Sequence, residues 1–65
     1  MTPNQIRAAM LLKNVRPADI ARRLNVTRGA VSNVISGLIV SQRIREAVAE
    51  AIGKEVDAIW PLSAA

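Results

Sequence analysis

The chain has 65 residues, a hydrophobic content of 51% and a net charge of +4, which bounds it to one domain near the lower size at which a chain buries about 60% of its unfolded surface. With no Cys and no His it has no disulfide staple, no redox pair and none of the usual zinc ligands, so aliphatic packing must hold it together. The charge is uneven: eight basic side chains against Asp19 alone give residues 1–45 a balance of +7, whereas Lys54 against four acids gives residues 46–65 a balance of −3.

Thr2, Pro3 and Gln5 read as an N-cap, a proline at the first helical position and the third-position partner of a capping box. A first helix is therefore expected over residues 3–13. Ile6, Ala9 and Met10 form its apolar face, Leu11 and Leu12 widen it, and Asn14 is a fair left-handed stop. Pro17 opens a second helix over 17–24, with Ile20, Ala21 and Leu24 on one stripe. Asn25 tolerates the left-handed backbone that ends a helix, Val26 is apolar enough to enter the core, and Thr27 offers a capping hydroxyl.

A third helix is expected over 28–36, buried along Ala30, Val31, Val34 and Ile35 and closed by Gly37. Of the apolar tripeptide Leu38, Ile39 and Val40, two residues are expected in the core and one exposed. Ser41 caps a fourth helix whose inward face is Ile44, Ala47, Val48, Ala51 and Ile52, and Gly53 ends it. Residues 55–60 have room for one further turn and a half, bringing Val56, Ile59 and Trp60 onto the core before Pro61 stops it. No segment alternates with period two, so the expected class is all-α: one compact five-helix domain over 1–61 and a short tail over 62–65.

Two helices joined by three or four residues must cross steeply, and the first then braces the second so that its outer face projects from the surface. That is a helix-turn-helix. Ala21 must be small where the helices pass, Asn25 must turn the chain, Val26 must plug the gap and Val31 must pack back on Ile20 and Leu24. An α-helix fits the major groove of B-form DNA, and the third helix leaves Arg28, Gly29, Ser32, Asn33 and Ser36 outward.

With these residues in register, the segment 17–37 resembles the helix-turn-helix of the lambda-repressor and Cro-like family of phage and bacterial regulators. The resemblance implies the same five-helix plan over nearly the whole chain. The ending VDAIWP is similar to that of Ner-type regulators of transposable phages. The chain also departs from the family pattern. Asn25 stands where the family usually has glycine, and Pro17 where a glutamine commonly touches a phosphate. Met10 and Ile35 replace a common arginine–acid pair with an apolar contact.

From the first turn of the third helix, the Arg28 guanidinium can reach guanine O6 and N7 with two parallel hydrogen bonds; a phosphate contact is the alternative. Gly29 matters by absence, letting the helix end approach the bases. Ser32 and Asn33 are candidates for direct or water-bridged base contact. Lys13, Arg16, Arg23, Thr27, Ser36 and Arg43 are the candidate phosphate contacts that fix register. Arg7, Arg22 and Arg45 are expected to be solvated. Ile39, Ile59, Trp60, Pro61 and Leu62 are the candidate dimer contacts, with Trp60 alternatively capping the core.

The expected function is that of a sequence-specific, double-stranded DNA-binding transcriptional regulator, a phage or prophage repressor that binds a palindromic operator as a homodimer weak in the absence of DNA. An antitoxin or other protein-interaction module on the same fold is the alternative. No catalytic constellation is visible, so the chain does not read as an enzyme, and no metal, cofactor or small-molecule ligand is expected. The longest uncharged runs fall short of the ~18 apolar residues of a membrane span, and MTPNQIR lacks signal-peptide character. A cytoplasmic, nucleoid-associated location follows as the expectation.

Overall fold

Thr2 opens the first helix as a capping box: its hydroxyl accepts from the Gln5 amide at 3.1 Å, and the Gln5 side chain accepts from the Thr2 amide at 2.9 Å. A computed structural model of the chain describes residues 1–61, in which α1 (Pro3–Leu12), α2 (Pro17–Leu24), α3 (Arg28–Ser36), α4 (Gln42–Ile52) and α5 (Val56–Ile59) follow in order. There is no strand among the described residues. The candidate tail 62–65 lies outside them.

Local chemistry accounts for the boundaries of the first four helices. Asn14 and Asn25 adopt left-handed backbone with φ of 59° and 58°, which asparagine tolerates better than most residues. At the start of α2, where Pro17 needs no amide partner, the Asp19 carboxylate accepts from the Arg16 amide at 3.0 Å. The Thr27 hydroxyl accepts from the Ala30 amide at 3.1 Å to start α3, and Ser41 does the same for the Ile44 amide at 3.4 Å to start α4. Gly37 closes α3 with φ of 83°, where a Cβ would be strained.

The core draws on every helix. Ile6 and Met10 come from α1, Ile20 and Ala21 from α2, Val31, Val34 and Ile35 from α3, Ile44, Ala47, Val48, Ala49 and Ile52 from α4, and Ile59 from α5. No polar residue is buried among the described ones, so apolar burial supplies the driving force. The radius of gyration is 10.6 Å, within the roughly 10.5–11 Å that a compact chain of this length has. The closest pairing is α2 with α3, held at one end by the residues 25–27 that join them. Leu24, Val26 and Ala30 pack against the core from its edge, half-buried.

Several apolar residues do not go where the pattern suggested. Leu11 and Leu12 are 75% and 87% exposed. The helix advances about 100° per residue, so the stripe through Ile6 and Met10 leaves its two successors facing away from the core. Leu38, Ile39 and Val40 are all exposed, at 75%, 43% and 73%, instead of one alone. The Leu38 and Ile39 amides both donate to the Asn33 carbonyl, at 2.9 and 3.4 Å. That wraps the loop over the end of α3 with its side chains outward, while Val34, Ile35, Ile44 and Val48 fill the interior. Ala49, outside the expected inward face of α4, is buried, whereas Ala51, expected on it, is half-buried at the edge of the core.

Candidate nucleic-acid interface

An open notch of about 450 Å³ lies where the starts of α2 and α3 come together, lined by Arg16, Pro17, Ala18, Arg28, Gly29 and Ser32. No carboxylate lines it, and the first turn of α3 contains no acid. The amides at a helix start have no intrahelical acceptor, and Thr27 satisfies only that of Ala30. The positive end of α3 therefore adds to the charge of the two arginines. Among the described residues the side chains of Lys13, Arg16 and Arg28 form no ion pair. Two of the acids pair with arginines of α2: Asp19, in its first turn, with Arg22 at 2.8 Å, and Glu50 of α4 with Arg23 at 3.0 Å.

Helical spacing sets two polar stripes side by side along α3. Arg28, Ser32 and Ser36 form one, Gly29 and Asn33 the other. All are exposed except Ser32, which is half-buried. Gly29 has ordinary helical backbone, and a Cβ built there meets no atom within 4 Å. Arg28, Gly29 and Ser32 share the notch, while Asn33 lies one turn beyond Gly29 and outside it.

The candidate phosphate contacts divide. Arg16 lines the notch and Thr27 sits at its edge as the cap of α3. Lys13 is exposed just beyond α1. Arg23 lies at the far end of α2, about 10 Å along its axis from Arg16, and Arg43 reaches the same end from α4. There Arg43 donates to the Leu24 carbonyl at 2.9 Å, supporting the end of the helix, and Arg23 is held by Glu50. Both pairings are exposed, and such contacts are worth at most about 1 kcal/mol.

Arg7 and Arg45 are not simply solvated. The Arg7 guanidinium donates from α1 to the hydroxyls of Ser32, at 2.9 Å, and Ser36, at 3.4 Å. Arg45 lies 5.0 Å from the centre of the Trp60 ring, a cation–π contact. A polar signal was present in the pair of serines four apart, on the side of α3 that flanks Val31 and Ile35. Its partner on α1 could not be read from spacing within one helix.

The candidate dimer contacts also divide. Ile59 is 1% exposed and cannot meet a second subunit, because it packs into the core with α4. Its carbonyl accepts from the Met1 amino group at 2.9 Å, joining the two ends of the described chain. Trp60 is half-buried beneath Arg45 and packs on the core, which favours the capping alternative. Pro61 and Ile39 are exposed, and Leu62 lies outside the described residues. No helix among the described residues is long and apolar enough to cross a membrane. No family model matches the chain, and no curated protein or solved structure matches it.

Proposed function

We propose that this chain is a sequence-specific, double-stranded DNA-binding transcriptional regulator of the lambda-repressor and Cro-like kind, a phage or prophage repressor that inserts α3 into the major groove. The observation that carries the reading is the notch. Two arginines without acidic partners, the uncompensated start of α3 and a glycine with open space above it face outward together. A phosphate fits beside the Arg16 side chain, while Arg28, Ser32 and Asn33 offer hydrogen bonds to base edges. The helix-turn-helix reading of α2 and α3 is supported by their close pairing and by the left-handed Asn25 between them. Two copies on a palindromic operator would place both α3 helices on one face of the duplex about 10 base pairs apart. Affinity selection of random duplexes by the purified protein tests the proposal: enrichment of a two-fold motif supports it, and failure to enrich any duplex refutes it.

One observation favours a second reading, an antitoxin or other protein-interaction module. Leu11, Leu12, Leu38, Ile39 and Val40 expose large apolar surface, and such surface suits a protein contact. Enrichment of no duplex, together with stable co-purification of a protein encoded beside it, would favour that alternative.

A further inference from the structure

We propose that Arg7 is a positioning residue for base selection: from α1 it holds the Ser32 hydroxyl so that Ser32 enters the groove as a hydrogen-bond donor. The inference rests on the DNA-binding reading above and assigns a preference within that site. Arg7 is half-buried and lies on α1 beside the buried Ile6, three residues before Met10. There its aliphatic stem borders the core while its head reaches α3. A guanidinium can only donate, so at 2.9 Å the Ser32 oxygen accepts and its proton is turned away from Arg7. Among the described residues no acceptor takes that proton. Ser32 also lines the notch with Arg28 and Gly29.

The consequence is chemical. A serine hydroxyl free to rotate reads donor and acceptor edges alike, and for that reason discriminates poorly. With Arg7 behind it and Arg28 one turn before it, the Ser32 oxygen sits in positive potential. Cytosine, whose major-groove edge offers only its amino group, would bring a further positive hydrogen to the same oxygen. Guanine O6 or N7, adenine N7, or thymine O4 instead accepts the proton already directed outward. The longer bond to Ser36, at 3.4 Å, keeps the guanidinium over the stripe and limits its swing toward solvent.

The test is a mutant cycle read by duplex selection. The wild-type protein, Arg7→Met, Ser32→Ala and the double variant each select from one random duplex pool, with helicity checked by circular dichroism. The wild type is expected to prefer guanine, adenine or thymine over cytosine at one position per half-site by about tenfold, the lower part of the range for a single base contact. Arg7→Met should reduce that preference to about twofold and leave the other positions of the motif as they were. Ser32→Ala should remove it, and adding Arg7→Met should then change nothing further. Arg7→Lys keeps the charge and should recover most of the preference. If Arg7→Met has lost helicity, Arg7→Leu replaces it with the same outcomes. Weaker binding to all duplexes with the motif unchanged, or an undiminished effect of Arg7→Met without the Ser32 hydroxyl, would overturn the proposal. A wild-type protein that enriches no duplex would instead bring down the DNA-binding reading itself, and this inference with it.

Discussion

Gly29→Ala separates stability from binding. Gly29 is exposed in the first turn of α3, its backbone is helical, and an added Cβ would meet no atom within 4 Å. Alanine at such a position restricts the unfolded chain without straining the folded one, a gain of about 0.4–1 kcal/mol. For a domain of this size that corresponds to a rise in Tm of roughly 2–8 °C. Nothing within the free domain therefore explains the glycine. On DNA the same methyl group would stand between α3 and the base edges, beside Arg28 and Ser32. Overpacking of that kind costs ~1–3 kcal/mol, or about 5- to 150-fold in affinity. Thermal unfolding followed by circular dichroism, with fluorescence anisotropy on a selected duplex, measures both terms. A Gly29→Ala protein that melts earlier than wild type, or binds the duplex equally well, would refute the reasoning.

Further substitutions probe other parts of the account. Arg28→Ala is expected to relax preference at one operator position, worth roughly 1–3 kcal/mol, whereas Arg43→Ala should weaken all duplexes alike; selection from a random pool compares them. Thr27→Ala removes the hydroxyl that accepts from the Ala30 amide and should destabilise the fold by about 1 kcal/mol, seen as a lower urea midpoint. Ile39→Ser, at an exposed loop position, should leave thermal stability near wild type and reduce binding to a full two-fold site more than to a single half-site in gel shifts.

The helix boundaries were legible because the signals that set them are local. Thr2, Thr27 and Ser41 each cap a helix start within three residues, and Asn25, Gly37 and Gly53 each take the left-handed backbone that ends one. The inward faces of α3 and α4 followed from their period, except that Ala49 is buried and Ala51 only half-buried. Leu11 and Leu12 misled because hydrophobicity alone does not say which side of a helix is covered. The fate of Leu38, Ile39 and Val40 depended on two hydrogen bonds to the Asn33 carbonyl, a loop geometry that composition does not encode. Arg7 and Arg45 depart from expectation for a different reason. Their partners lie 25 and 15 residues away, at Ser32 and Trp60, and only the packing of α1 on α3 and the return of the chain after α5 bring them together.

The most direct test of the central claim is the salt dependence of duplex binding. A dimer that neutralises on the order of 6 phosphates should show log affinity falling against log salt with a slope of roughly −5. Fluorescence anisotropy on the best selected duplex, titrated across a series of potassium chloride concentrations, gives that slope. The account predicts a steep fall for wild type and a shallower one for Arg16→Ala, because Arg16 lines the notch without an acidic partner. A flat salt dependence, or no binding to any duplex at the lowest salt, would contradict it.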